Sequence, residues 1–513
     1  MFYTVPGPGA SVNWGFVLDI TRTLVFNHPM LSGTATRRFP DAPAQAGATS
    51  SMWSASAEDA RISAEFREIE STEGLCPSCL ARVPAEIGIW AGSIYLRKRC
   101  PTHGTQWALR EKYAAFYLRR TRFDKPGTTF IPQTQIGRGC PFDCGLCPAH
   151  GQHTCIGLIE ITPHCDLACP DCYAKPGSAG LLSMATVEKM LDFYQEAEHG
   201  KAEIVQISGG EPASHPDILE ILRLAKAKRF KYVMLNTNGS RLAQDREFAR
   251  ELGALAGNFE VYLQFDGFDR QAVARLRGAD LLDVKLRALD RLREFAIPAT
   301  LVMTVKAGVN EAEVGKVIEC GLRNPSVRGV NFQPTAYYGA EPPPPNRMTL
   351  TGVLEAIETH TGGRLRMDDF VPLPCNVERA ALTFLQGGRG GFSPITRDRD
   401  FQPYLPHIPN TLAFDPADFP GLCGPASSGS GGCECFSSLV KLLRPLIPKR
   451  YGAGTEAAQI AHVSQNTFRI SVTSFIDAYD FELSSMRKEC VHIITPDLRR
   501  IPFSAYNLYH RRR

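Results

Sequence analysis

IGLIEITPHCDLACPDCY, residues 156–173, joins a short apolar run to a loop with cysteines at 165, 169 and 172. The run IGLIEIT is continuous and rich in isoleucine, as expected of a strand buried on both faces. A cysteine loop placed directly after such a strand falls where α/β barrels keep their chemistry, at the C-terminal strand end. Cys165, Cys169 and Cys172 supply three thiolates. Three thiolates can ligate three irons of a four-iron cube and leave the fourth iron open to a ligand. Zinc knuckles also use the C-x-x-C spacing, so the loop alone leaves both metals in view.

The residues that follow decide the architecture. AEIVQIS, KYVMLNT, FEVYLQF, PATLVMTV and VRGVNFQP read as further buried strands. Between them lie stretches such as MATVEKMLDFYQEAE and PDILEILRLAKAK, with apolar residues at helical spacing. Strands alternating with helices give a parallel sheet with right-handed crossovers. The expected fold class is therefore α/β, a partial (β/α)6 barrel over residues 156–345. Polar residues recur at the same strand ends: Gly209, Gly210, Glu211 and Pro212, then Asn236, Thr237 and Asn238, then Gln264 and Asp266, then Gln333. Any one of them can be a turn or a cap. Together at one rim they read as a ligand site, with the paired glycines admitting close backbone approach.

Cysteine use extends on both sides. The chain has 513 residues and 16 cysteines, a formal net charge of +4, and no run long and apolar enough for a membrane helix. Its start lacks the pattern of a signal peptide, and no basic block points to nucleic acid. These features point to the cytoplasm, where closely spaced cysteines favour metal sites over disulfides. Cys76 and Cys79, then Cys100 and His103, form two knuckles joined by a strand-like segment. This ligand set suits one tetrahedral zinc, or iron as in rubredoxin. Cys140, Cys144, Cys147 and Cys155 follow in a tight array that can hold an auxiliary cluster, with zinc as the competing occupant and His150 and His153 in the same loop. Together these make an N-terminal module over 71–155, preceded by a poorly ordered extension, residues 1–70, in which Met52 is a candidate alternative start. After the EPPPPNR linker, residues 346–513 form a C-terminal auxiliary-cluster domain with Cys423, Cys433 and Cys435 as its expected ligands. Cys375 and Cys490 are surplus to one cluster, and Cys320 lies on a helical stripe as a buried hydrophobe.

The motif C-x3-C-x2-C, followed by ISGGEP at the next strand end, resembles the radical S-adenosylmethionine (SAM) superfamily. The resemblance implies that Cys165, Cys169 and Cys172 hold a catalytic [4Fe-4S] cluster whose open iron binds SAM. It implies that the GGEP segment faces the methionine ammonium and that Tyr173 flanks adenine. The order CPSC, CPTHG and GCPFDCGLCPAHGQHTC, with the tail from Cys490, is similar to one subgroup. That subgroup includes archaeal tetraether lipid synthase and 7,8-dihydro-6-hydroxymethylpterin dimethyltransferases. It implies a mononuclear metal and one or two auxiliary [4Fe-4S] clusters. The chain departs from the subgroup in having Ser504, and no further cysteine close after Cys375.

Two activities follow from this resemblance. One is carbon–carbon bond formation at an unactivated carbon of a lipid. The other is methylation of a pterin or a similar heterocycle. Either needs a reductant such as flavodoxin or ferredoxin. A lipid substrate would bring a peripheral membrane contact, for which SSLVKLLRPLIPKRY offers apolar and basic residues; a core helix ended by Pro445 is the competing reading. A third reading is a non-catalytic zinc-ribbon binding protein.

Overall fold

The computed structural model describes residues 65–397 and 467–512, apart from 128, 175–179, 256, 339–341 and 389–390, together with residues 18–19, 410 and 413–414. The expected extension, the alternative start, the Cys423–Cys433–Cys435 set and the basic apolar segment lie outside the described residues.

The N-terminal module is an antiparallel meander of β1 (Arg67–Leu75), β2 (Arg82–Trp90), β3 (Ser93–Cys100) and β4 (Gly104–Glu111). Its first strand begins before residue 71, so the expected boundary falls inside β1. Ile87, Ile94, Leu96 and Ala108 fill its inner face. Lys98 also points inward, and its ammonium donates to the carbonyls of Leu75, Ala478 and Tyr479 at 2.8 Å each. Those bonds fasten the meander to the C-terminal segment.

The expected barrel strands form β5 (Ile156–Glu160), β6 (Ile204–Ser208), β7 (Tyr232–Thr237), β8 (Phe259–Gln264), β9 (Ala299–Val305) and β10 (Val327–Pro334). Each pairs in parallel with the next. Buried Ile, Val, Leu and Phe from strands and helices make one large core. Helix boundaries follow local chemistry. Ser183 caps Met184–Ala197, Asp245 caps Arg246–Ala254 and Asp269 caps Arg270–Arg277, each by accepting a backbone N–H. Gly278, at φ +78°, ends the last of these helices.

The sheet does not stop at six strands. From the C-terminal region come β11 (Ala380–Gly388), β12 (Thr467–Thr473), β13 (Val491–Ile494) and β14 (Arg500–Pro502). β12 pairs in parallel with β10, and β13 in parallel with β5. The order runs β11-β12-β10-β9-β8-β7-β6-β5-β13-β14, an open path in which Val371–Pro372 and Gly391–Pro394 also pair with β11. The segment expected as a separate C-terminal domain therefore lengthens both edges of the barrel sheet. These strands are short and separated by long non-periodic stretches, so no alternation announced them.

Candidate functional site

The loop after β5 carries Cys165, Cys169 and Cys172, all half-buried at the C-terminal rim. Protein contacts hold it from several sides. The Asn238 amide donates to Asp166 at 2.6 Å, and Lys306 pairs with Asp171 at 2.6 Å. The loop's own turn is closed by the Cys172 N–H donating to the Cys169 carbonyl at 3.2 Å. Burial pushes the Cys165 thiol up to about 11 and also raises Cys172. Both thiols therefore stay protonated near neutrality unless a cation takes the sulfur, which is the behaviour of a metal ligand set.

The glycines act on this loop directly. A Cβ on Gly210 would stand 2.3 Å from the His164 carbonyl oxygen, and one on Gly209 would stand 2.4 Å from that of Thr162. The Gly210 N–H donates to Thr162 at 2.7 Å and the Glu211 N–H to His164 at 2.6 Å. Close approach was expected toward a ligand; here it is toward the backbone leading into Cys165. Gly278 packs the same way against Ala168, 2.9 Å from its carbonyl oxygen if it bore a Cβ.

Glu211 is buried at the centre of the rim, next to Pro212, which starts a short 3-10 turn. Its carboxylate accepts from Thr237 Oγ1 at 2.6 Å, the Asn238 N–H at 2.7 Å and the Ala213 N–H at 2.9 Å. Burial nevertheless pushes it up to about 6. Asn236 donates to Ser208 at 3.1 Å. Gln333 and Tyr262 face each other at 3.4 Å between β10 and β8. These side chains converge at one rim as expected.

Asp266 is a correction. It was expected to reach a ligand, but it is 2% exposed and ion-paired with Arg277 at 2.6 Å. Gln264 donates to it at 3.0 Å, so that amide is engaged within the barrel as well. Although burial opposes its charge, Asp266 and Cys169 keep Arg277 protonated. Asp266 thus acts on the loop through Arg277. Lys285, buried and pulled down to about 8, donates to the Asn238 carbonyl. The reading from sequence missed Arg277 and Lys285, because both sit on helices that look like ordinary amphipathic segments.

Tyr173 leaves the loop for an aromatic cluster, edge-on to Phe503 with ring centres 5.1 Å apart. The Arg511 guanidinium lies 5.8 Å from the Tyr173 ring and pairs with Glu160 at the end of β5. Cys140, Cys144 and Phe142 join the same apolar cluster.

Two other cysteine groups have clear geometry. The ligating atoms of Cys76, Cys79, Cys100 and His103 lie within 4.8 Å of one another. His103 Nδ1 is 3.6 Å from the Cys76 sulfur and 3.5 Å from that of Cys100. Although burial raises it, amide donors from Cys79 and Gln106 bring Cys76 down to about 6. This is the spacing a single tetrahedral ion imposes: a metal–sulfur bond of about 2.3 Å puts two sulfurs about 3.8 Å apart. The expected array of Cys140, Cys144, Cys147 and Cys155 is corrected. Cys155 belongs instead with Cys375 and Cys490, whose sulfurs all lie within 4.8 Å. The reason is topological: Cys155 ends the loop at the start of β5, and the adjoining strand β13 starts just after Cys490. Cys140, Cys144 and Cys147 remain as neighbours in their own loop. His150 faces His492 at 3.2 Å in a buried pair, away from a ligand role.

Residues 159–320 match the profile of the radical SAM superfamily, and residues 68–110 match an HMPTM N-terminal zinc ribbon domain. Over 490 residues the chain is 29% identical to 7,8-dihydro-6-hydroxymethylpterin dimethyltransferase of Methanocaldococcus jannaschii, covering 86% of this chain and 94% of that protein. A probable GTP 3′,8-cyclase of Thermococcus kodakarensis is 28% identical over 172 residues, 33% of this chain and 53% of that one. Among solved structures, Streptococcus suis SuiB bound to S-adenosylmethionine covers 41% of this chain and 47% of its own, at 14% identity and a TM-score of 0.35.

Proposed function

Because residues 159–320 are a radical SAM domain, we propose that this enzyme transfers methyl groups to a pterin or a similar heterocycle, with Cys165, Cys169 and Cys172 holding its catalytic [4Fe-4S] cluster. The observation that carries the substrate class is the match to a pterin dimethyltransferase along 94% of that protein's length. None of the relatives named above is described as acting on a lipid. Among the described residues no helix is long and apolar enough to cross a membrane.

The donor set fits the cluster: three soft thiols on one loop. Cys165, Cys169 and Cys172 would hold the cluster, which when bound would supply one-electron reducing chemistry toward SAM at this rim. The protein's part is placement. Arg277 keeps a positive charge beside Cys169. Glu211, fixed by three donors, offers a carboxylate to an ammonium at the rim. Tyr173 presents an aromatic face next to the loop.

The test is anaerobic reconstitution with iron and sulfide, reduction, and incubation with SAM and a reduced pterin. 5′-Deoxyadenosine together with a methylated pterin is the expected result. Deoxyadenosine without pterin methylation would remove the substrate reading. The Cys172→Ala variant should lose deoxyadenosine formation and keep the N-terminal metal; persistent deoxyadenosine would overturn the assignment of the catalytic cysteines.

A further inference from the structure

At the opposite end of the barrel from the catalytic loop, three cysteines from distant parts of the chain meet. Cys155 directly precedes β5, Cys490 directly precedes β13, and Cys375 comes from the loop before β11. All three are buried. The Cys155 N–H donates to the Cys490 carbonyl at 2.9 Å, and that of Ile156 to the same oxygen at 3.2 Å. Their sulfurs lie mutually within 4.8 Å. Nearby, His153 Nε2 stands 3.7 Å from the Cys155 sulfur. Phe130 stacks on the His153 ring, with centres 5.5 Å apart.

Among the described residues, the cysteine sets this compact are the N-terminal Cys76–Cys79–Cys100–His103 group and this one. In a four-iron cube each cysteine takes a different iron, so its sulfurs stand further apart than those sharing one ion. Sulfurs on one tetrahedral ion stand about 3.8 Å apart. We propose that Cys155, Cys375 and Cys490 bind a single zinc ion; His153, whose ring groups with Cys155 and Glu203 rather than with all three sulfurs, swings toward them to serve as the fourth ligand. The ion is a staple: it joins the first barrel strand, the closing strand β13 and the approach to β11 at the N-terminal face, where barrels keep stability determinants rather than catalysis. Glu203 lies 3.9 Å from the same nitrogen, His153 Nε2, and forms a second compact group with His153 and Cys155.

The experiment measures zinc, iron and sulfide in the full-length chain purified after expression in zinc-supplemented medium. Wild type should carry two zinc equivalents. Cys375→Ser and Cys76→Ser should each lose one, and the double variant both, with iron content unchanged. His153→Ala should retain its zinc but release it to a chelator at least tenfold faster. If Cys375→Ser instead loses iron and sulfide, the site is a cluster and the proposal fails. If Cys375→Ser loses no metal, there is no such site. Should Cys375→Ser not fold, alkylation of wild type with mass-spectrometric mapping replaces it. Cys155, Cys375 and Cys490 should then be protected until zinc is chelated; modification of all three before chelation would overturn the staple.

Discussion

The Gly210 α-carbon and the His164 carbonyl oxygen are packed so closely that a single methyl group between them would stand 2.3 Å from that oxygen. The glycine pair of the second strand end is therefore part of the frame that shapes the cysteine loop after the first. A Gly210→Ala variant must push that loop outward, since its obstacle is backbone rather than a movable side chain. It should fold, retain zinc in the ribbon, and produce 5′-deoxyadenosine at least tenfold more slowly. Chromatographic quantification of deoxyadenosine beside zinc analysis checks this; an unchanged rate would show that the loop has room to spare.

Asp266 and Arg277 form a buried pair at 2.6 Å. Removing the fully buried Asp266 carboxylate leaves the Arg277 guanidinium, 15% exposed, without its partner. Asp266→Asn should cost about 3–5 kcal/mol in unfolding free energy. It should also lower iron retention, because Arg277 loses the group that aims it at Cys169. Denaturant unfolding and iron analysis read the two effects separately.

Glu111 lies buried behind the meander, accepting from the Thr351 N–H at 2.9 Å and the Thr351 hydroxyl at 2.7 Å. Burial outweighs those donors and the nearby Arg110 and Arg379 charges, leaving its pKa above the usual carboxylate value. The folded chain then holds this proton to higher pH than the unfolded chain does. Stability from this group is full below the unfolded pKa and declines as pH rises through the folded one. Glu111→Gln keeps the acceptor without the charge. Its unfolding midpoint should fall less than that of wild type as pH rises from 4 toward neutrality; parallel curves would show that Glu111 contributes nothing to the slope.

Arg511 links the end of the chain to Glu160, with one pairing at 3.0 Å, and lies over the Tyr173 ring. Arg511→Ala releases both. The expected result is a severalfold higher KM for SAM with a smaller change in kcat, measured by deoxyadenosine formation across SAM concentrations. A fall in kcat alone would place Arg511 in a different role.

Much of this was readable from residues because the barrel is written locally. The strands of residues 156–334 are short apolar runs, and all but the fifth are followed by a polar or cysteine cluster at a predictable place. The cysteine loop and the rim residues Glu211, Thr237 and Asn238 came with that pattern. Partnerships across the chain were not readable. Cys155 looked like the fourth member of its own loop because spacing counts only neighbours, whereas strand pairing carries it to Cys490. Asp266 looked free because Arg277, its partner, carries no motif. Lys98 carries no motif either, and it enters the junction between meander and tail.

The pairing of Val491 with Ile156 has a consequence for biosynthesis. The ribosome makes β5 long before the strand that covers its outer edge. Until β13 emerges, the nascent barrel presents an unpaired edge, the feature most prone to pairing with another chain. Newly made protein is therefore most vulnerable to aggregation before Val491–Ile494 is available, and chaperone dependence should ease once that strand has left the exit tunnel.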